Sequence, residues 1–335
     1  MLFLQEFIIF TIILALFFDF INGFHDSANA ISTVVATKVL TPIRAVGMAA
    51  VGNLIGPVFF STAIAATMGK GIIELKGVAP TILVTLIFSA LVGAIIWDLI
   101  TWYIGLPISS SHALVGGLVG GGLAALGSGS IISSGVEKVV VFMIVSPIIG
   151  MVAAFILTTF VIRAFYRVSP TRINRYFKTL QLFSAFFYSV THGTNDAQKT
   201  MGIITVLLVA YGSLQTFNVP LWVILAAHIS ISLGTFFGGW RIVKTMAQKI
   251  TKLRPYQGFC AETSGGLVLA SMAALGVPVS TTHVISSSIM GVGATDKLSA
   301  VRWGIARKIV GAWILTIPAS AIMSFTTYFI ISGIF

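Results

Sequence analysis

Charge is what this sequence has least of. Only 9% of its 335 residues are Asp, Glu, Lys or Arg, and nine in all are acidic. A soluble domain carries about 25% charged residues, so this chain cannot cover a water-facing surface. Its 57% hydrophobic content and mean hydropathy of +1.02 place it in a bilayer. Cysteine is nearly absent: Cys260 stands alone, which excludes an intrachain disulfide, and it reads as a small core residue. The five histidines include no His-Glu-x-x-His spacing and so carry no zinc signature. No Lys or Arg precedes the first apolar run and no small-residue cleavage site ends it. That run is expected to be a retained span and not a signal peptide.

What the sequence does have is long apolar runs. A spanning helix needs roughly 20 apolar residues. Ten candidates occur, at 2–39, 46–67, 81–103, 109–126, 139–165, 180–211, 221–240, 259–274, 280–292 and 309–335. Polar residues interrupt the first and sixth. The fourth and ninth are short, rich in Gly and Ser, and read as full spans or as re-entrant hairpins. The expected fold is an all-α, multi-pass integral membrane protein with interrupted helices. In a soluble protein the net charge of +11 would suggest nucleic acid; here the basic residues sit between spans, so no nucleic-acid partner is expected and the charge reports orientation. With the termini outside and all ten segments crossing, sixteen of the twenty Lys and Arg fall in inner loops, only Lys70, Lys76 and Lys138 fall in outer ones, and Lys199 lies within a span.

The chain contains itself twice. Asn22-Gly23-Phe24-His25-Asp26 recurs as His192-Gly193-Thr194-Asn195-Asp196 at an offset of 170, and Gly105-Leu106-Pro107-Ile108-Ser109-Ser110-Ser111-His112 recurs as Gly276-Val277-Pro278-Val279-Ser280-Thr281-Thr282-His283 at an offset of 171. Two motifs at nearly one offset imply a duplication: a first repeat at 1–165, a basic cytoplasmic linker at 166–178 and a second repeat at 179–335. Five segments per half is an odd number, so the second half enters from the opposite side. Such a 5+5 inverted repeat is a mark of secondary transporters, whose site lies near the midplane at the repeat interface.

The repeated motifs carry the chemistry. A carboxylate at membrane depth costs several kcal/mol unless it is paired or solvated, so Asp26 and Asp196 are expected to face a cavity, an ion or a basic partner. Gly23 and Gly193 permit the backbone to leave helical geometry and free carbonyl oxygens. Carboxylate, amide and carbonyl oxygens together suit a hard cation. The second motif pair places three hydroxyls at each of two helix starts, behind Pro107 and Pro278. A helix start exposes unpaired N–H groups and the positive dipole end, which suits an anion. Lys199 lies three residues after Asp196 and shares its helix face; it neutralises a carboxylate or contacts the anion. Glu262 is a further intramembrane carboxylate, with an interfacial pairing to Arg254 or Lys252 as the alternative. His25, His112, His192 and His283 read as hydrogen-bonded structural residues, with proton coupling as the next reading.

At these residues the sequence resembles the inorganic phosphate transporter (PiT) family. The carrying pieces are Gly23-Phe24-His25-Asp26-Ser27-Ala28-Asn29, the stretch from Thr191 to Gly202, the two Pro-x-Ser-Ser/Thr-Ser/Thr-His stretches, Gly238-Gly239-Trp240-Arg241-Ile242-Val243-Lys244-Thr245 and Gly258-Phe259-Cys260-Ala261-Glu262. The resemblance implies uptake of inorganic phosphate driven by sodium or protons, with Asp26 and Asp196 as functional aspartates and the hydroxyl stretches at the phosphate site. Asn53 departs from a carboxylate of eukaryotic relatives, and the absence of a long hydrophilic loop between the halves resembles the compact prokaryotic form. Only the resemblance selects phosphate over another oxyanion.

The site expected from both readings places phosphate against Ser109, Ser110, Ser111, Ser280, Thr281, Thr282, Asn195 and Lys199. It places sodium at Asp26 and Asp196, helped by Asn22, Asn29, Asn195 and Glu262. Sodium is favoured because amides coordinate a metal cation but carry protons poorly. Proton-coupled or metal-phosphate symport stays open, as do an oxyanion channel and a membrane metalloenzyme. No cofactor and no catalysis are expected; sodium is a co-substrate, the cell membrane is the location, and a homodimer is compatible with the sequence. The orientation is directly testable. With Cys260 replaced, a cysteine at position 172 should resist membrane-impermeant labelling in sealed right-side-out vesicles, and labelling there would overturn the 5+5 inverted arrangement.

Overall fold

The computed structural model describes residues 2–58 and 62–333. Within them the chain is helical throughout, with α1 (Leu2–Ala36), α2 (Pro42–Ile55), α3 (Ala63–Lys70), α4 (Pro80–Ile104), α5 (Ser110–Leu126), α6 (Ser133–Ala164), α7 (Pro170–Ala210), α8 (Leu221–Phe237), α9 (Trp240–Gln248), α10 (Pro255–Ala274), α11 (Thr281–Ala294) and α12 (Trp303–Ser332). Proline opens α2, α4, α7 and α10, where its fixed φ fits the first helical turn and its missing N–H costs nothing. Gly105 closes α4 at φ 75, a left-handed conformation that only glycine adopts without strain.

By length and composition four helices cross a membrane, and up to six do so if each bent pair counts as one span. Bulky apolar side chains such as Ile148, Phe155 and Phe160 on α6, and Ile314, Ile322 and Phe329 on α12, face outward. A lipid-facing surface has this character. At 1.5 Å per residue, α5 and α11 are only about 25 and 21 Å long, short of the ~30 Å hydrocarbon layer. Both are buried over most of their length. The fourth and ninth segments are therefore not straight crossings.

The interruptions lie elsewhere than the polar motifs suggest. Helices α1 and α7 run unbroken through residues 22–26 and 192–196. One break is at Gly238 and Gly239, where α8 and α9 meet at 69°. A second bend separates α2 from α3; residues 59–61 between them lie outside the described residues, as do the last two residues of the 309–335 segment. Gly23 and Gly193 serve close approach and not helix breaking. A side chain on Gly23 would strike the Ile231 backbone of α8, and one on Gly193 would strike Asn53 of α2. The 166–178 stretch is likewise no free loop, since α7 already starts at Pro170.

Helices α1 and α7 cross antiparallel. Thr37 donates to Gln181 Oε1 at 2.9 Å, while Asp26 approaches Asp196 further along, so residue numbers rise on one helix as they fall on the other. Much of the remaining packing exchanges halves. Helix α1 packs on α8 as α7 packs on α2, and α5 packs on α12 as α11 packs on α6; within each half, α4 packs on α5 as α10 packs on α11. Glycine permits each close contact: Gly120 of α5 abuts the Ala321 backbone of α12, and Gly291 of α11 abuts Met151 of α6. Gly311, on the outer side of α12, abuts nothing. Gly120→Val should therefore destabilise the protein by about 1–3 kcal/mol through overpacking, whereas Gly311→Ala should hold stability or raise it by up to about 1 kcal/mol. Thermal unfolding in detergent separates the two, and equal effects would contradict this packing.

Candidate functional site

The α1–α7 crossing brings the two repeated motifs together at the centre of the protein. Asp26 and Asp196, the matched aspartates, lie with His192 in one buried group whose ligating atoms all fall within 4.8 Å of one another. The start of α11 reaches the same point. Thr281 Oγ1 stands 3.1 Å from Asp196 Oδ2 and 3.5 Å from Asp26 Oδ2, and Thr282 Oγ1 donates to Asp26 Oδ2 at 3.1 Å. A hydroxyl has one proton. Thr281 therefore satisfies one aspartate at a time, and two carboxylates converge on a single donor. Asn29 donates its amide N–H to both threonines, at 3.2 and 2.9 Å, which leaves its own Oδ1 without a partner.

The start of α5 enters through Lys199. Its ammonium donates to both Asp196 and Ser111, so it ties a helix of the first half to the central carboxylates. Each short helix is capped by its own serine. Ser109 Oγ accepts from His112 N at 3.3 Å, and Ser280 Oγ accepts from His283 N at 3.1 Å, as Ser does at an N-cap. Pro107 and Pro278 thus precede the caps and are not first helical residues. The hydroxyl stretches divide in role: Ser109 and Ser280 use their oxygens on their own helices, while Ser111, Thr281 and Thr282 face the carboxylates and Lys199. Ser110 is buried without a hydrogen-bond partner.

Two histidines are held by oriented hydrogen bonds. His192 Nδ1 donates to Asn53 Oδ1 at 3.2 Å, Asn53 Nδ2 donates to Thr235 Oγ1 at 2.8 Å, and Thr235 donates to the Gly23 carbonyl at 3.2 Å. That chain aims His192 Nε2 at Asp196 Oδ2, 3.1 Å away. Asn53 is thus a positioning residue in this protein. His25 Nδ1 meets Asp26 Oδ1 at 2.8 Å and His25 Nε2 meets Thr101 Oγ1 at 3.2 Å. The other two histidines are not hydrogen-bonded as expected. His112 and His283 pack ring to ring at 4.9 Å across the two short helices, and His283 stacks on Trp313 at 3.8 Å. His112 Nδ1 and both His283 nitrogens have no hydrogen-bond partner.

Some expected members stand apart. Glu262 is fully buried, so the interfacial pairing with Arg254 or Lys252 is excluded; it accepts from Gln181 at 3.0 Å and from Ser184. No hydrogen bond joins it to the aspartate pair among the described residues. Asn195 donates to the carbonyls of Thr191 and Leu269, at 2.8 and 3.3 Å, with Oδ1 left unpartnered. Asn22 is buried with neither amide atom hydrogen-bonded. Sequence reasoning misses Asp19 and undervalues Asp98, both buried and without hydrogen bonds. Their signal was present: each is a carboxylate inside an apolar run, but neither recurs in the other half. Among the described residues five carboxylates (Asp19, Asp26, Asp98, Asp196 and Glu262) are buried against one ammonium, Lys199.

Known proteins share this sequence and this fold. The Phosphate transporter family matches residues 22–324. The chain is 52% identical over 319 residues to a Rhizobium meliloti protein named "Probable low-affinity inorganic phosphate transporter", covering 95% of this chain and 94% of the relative. A Bacillus subtilis protein of the same name is 44% identical, covering 97% of each. A solved structure described as "The sodium-dependent phosphate transporter" superimposes with a TM-score of 0.89 at 26% identity, covering 98% of this chain and 100% of that one.

The Lys199–Asp196 pair yields a stability test. Removing one partner of a buried ion pair strands the other charge and costs about 3–5 kcal/mol. Lys199→Met should lose stability of that order, and adding Asp196→Asn to it should restore part of the loss. A Lys199→Met protein that unfolds like the wild type would refute the pairing.

Proposed function

The chain belongs to the phosphate transporter family, and from that premise we propose that it imports inorganic phosphate by symport with a cation, sodium. It is a multi-pass membrane protein and a phosphate transporter, not an enzyme. The observation that carries the coupling is the buried charge. Asp26 and Asp196 share one hydroxyl donor within a few ångströms of each other. Two like charges 4 Å apart repel by about 4 kcal/mol even at an effective dielectric of 20. Phosphate brings one or two more negative charges to the same place, and Lys199 offsets only one. A bound cation turns that repulsion into attraction, and by linkage each ligand raises the affinity of the other by the same factor. The free acceptors support a metal cation: Asn29 Oδ1 and Asn195 Oδ1 are buried, unpartnered oxygens. The sodium-dependent phosphate transporter of known structure supports the same reading.

In this proposal sodium lies at Asp26 and Asp196, with Asn29 and Asn195 as further oxygen ligands. Phosphate lies against Ser110, Ser111, Thr281, Thr282 and Lys199, at the N-termini of α5 and α11. Thr281 and Thr282 exchange their carboxylate acceptors for phosphate oxygens once the cation neutralises the aspartates. Glu262 is set aside from this group because Gln181 and Ser184 already occupy its oxygens. The two halves, 1–165 and 179–335, are inverted repeats joined by the basic 166–178 stretch. The antiparallel α1–α7 crossing and the exchanged packing support that division. The basic loops face the cytoplasm and the termini face outward, in the cell membrane.

One observation favours a proton-coupled reading. The Thr101 hydroxyl already has backbone acceptors in Trp97 and Asp98, at 3.0 and 3.1 Å. His25 Nε2 must then be the donor to Thr101. With Nδ1 facing a carboxylate, the His25–Asp26 pair holds one proton beyond a neutral ring and an ionised acid. The two readings part in one titration. Phosphate affinity measured against sodium at fixed pH and ionic strength should tighten as sodium rises, and Asp26→Asn and Asp196→Asn should each weaken that enhancement. Affinity indifferent to sodium but raised by acid would replace sodium with the proton. Loss of the Ser110 or Thr281 hydroxyl should weaken phosphate by up to about tenfold, from about 0.5–1.5 kcal/mol per hydrogen bond. A Ser110→Ala, Thr281→Ala double variant that binds phosphate normally would remove those residues from the site.

A further inference from the structure

The two short helices both start at the central site, and what fixes one start against the other lies outside it. The stretch leading into α5 is held at two backbone carbonyls. Gly105 O accepts from Thr245 Oγ1 of α9 at 2.8 Å, and Pro107 O accepts from Trp313 Nε1 of α12 at 3.0 Å. The stretch leading into α11 has a counterpart of the first bond, from Thr67 Oγ1 of α3 to Gly276 O at 2.9 Å. It has no counterpart of the second among the described residues. The reason is legible in the chain. Pro147 inside α6 and Pro318 inside α12 stand 171 residues apart, the offset of the hydroxyl motifs. Trp313 lies five residues before Pro318, and Phe142 lies five before Pro147. A phenyl ring has no N–H to offer the Pro278 carbonyl.

The indole does more than donate. Its ring stacks on His283 at 3.8 Å between centroids, and His283 packs on His112 at 4.9 Å. All three rings are buried. Neither nitrogen of His283 has a hydrogen-bond partner, so ring packing is what orients it. One side chain of α12 thereby grips both starts. It holds α5 through Pro107, two residues before the Ser109 cap, and α11 through His283, two residues after Thr281. The Pro107 carbonyl is buried, and a buried acceptor stripped of its donor makes the backbone around it rearrange. We infer that Trp313 is a positioning residue for the anion site: its N–H and its ring together fix the start of α5 against the start of α11, and so set the spacing of the hydroxyls that receive phosphate. The inference rests on the placement of phosphate proposed above.

Phosphate affinity of the purified protein, at fixed sodium and pH, tests it. Trp313→Phe keeps a ring for the stack and removes the donor. It should weaken phosphate by about three- to tenfold, the range of one lost hydrogen bond. Benzothienylalanine at position 313 replaces the indole N–H by sulfur at nearly constant shape. It should do the same, and it decides the matter if the Phe variant fails to fold. Trp97→Phe is the control. Trp97 Nε1 donates to Thr316 Oγ1 of the same helix α12 at 3.2 Å, a bond of the same kind that reaches no helix start, so its loss should leave phosphate affinity unchanged. Variants at 313 that bind phosphate like the wild type overturn the positioning role. An equal loss in Trp97→Phe also overturns it, because α12 packing alone would then explain both. The role and the site fail separately. If the Ser110→Ala, Thr281→Ala double variant weakens phosphate and the Trp313 variants do not, only the role of Trp313 is wrong. Normal binding in that double variant removes the placement of phosphate and the role built on it.

Discussion

Buried negative charge at a helix crossing is the constraint on which the rest of this structure depends. Among the described residues five carboxylates lie inside the protein with one ammonium to oppose them. In a medium that solvates ions poorly, such an excess has to be answered by hydrogen bonds, by protons or by bound cations. The hydrogen bonds on hand are few and shared: one threonine hydroxyl stands between two aspartates, and one lysine serves both an aspartate and a serine. A site so short of positive charge is poorly prepared for phosphate alone. It is well prepared for phosphate that arrives with cations. In the proposed symport, coupling is a property of the charge inventory, and exclusion of the uncoupled anion would follow from the same repulsion that the cation relieves.

The fold exists to hold that inventory in place. Helices α5 and α11 are too short to cross the bilayer, and their starts end at the centre, where unpaired N–H groups and the positive dipole face inward. Self-capping by Ser109 and Ser280 leaves the following hydroxyls free for the site. Glycines at the contacts with α6, α8, α12 and α2 let backbones approach where no water-driven attraction presses helices together. The exchanged packing places equivalent elements of the two halves on opposite sides of one crossing, so matched residues from distant parts of the chain become neighbours.

The match between halves is incomplete, and the departures are informative. His25 and Asn195 occupy equivalent repeat positions with different chemistry, and Asn29 stands where the second half has Lys199. Each half sets one histidine ring beside an aspartate, His25 and His192, but only the second contributes the ammonium. An inverted repeat with identical halves would bind its ligands on a two-fold axis. In the proposed symport this asymmetry would give cation and anion different partners at one crossing. Asn53 shows how such asymmetry is held: an amide that both donates and accepts can orient His192 and Thr235 at once, which a carboxylate at that position would do only as an acceptor.

The sequence by itself determined the membrane setting, the repeated motifs, the family resemblance and the polar residues at the centre. Composition decides whether a chain can face water, and a repeated motif inside an apolar run is visible without coordinates. Asp26, Asp196, Ser111, Thr281, Thr282, Asn29 and Lys199 were all legible in this way. Only the tertiary structure decided what each of them touches. A glycine beside a polar motif reads equally as a helix break or as a close contact, and the backbone of a neighbouring helix chose the second for Gly23 and Gly193. Glu262 reads equally as interfacial or buried until Gln181 and Ser184 are seen around it. Asp19 had no counterpart in the other half to draw notice to it. Thr281 meets Asp26 across 255 residues of chain, because the fold pairs positions that no spacing in the sequence relates.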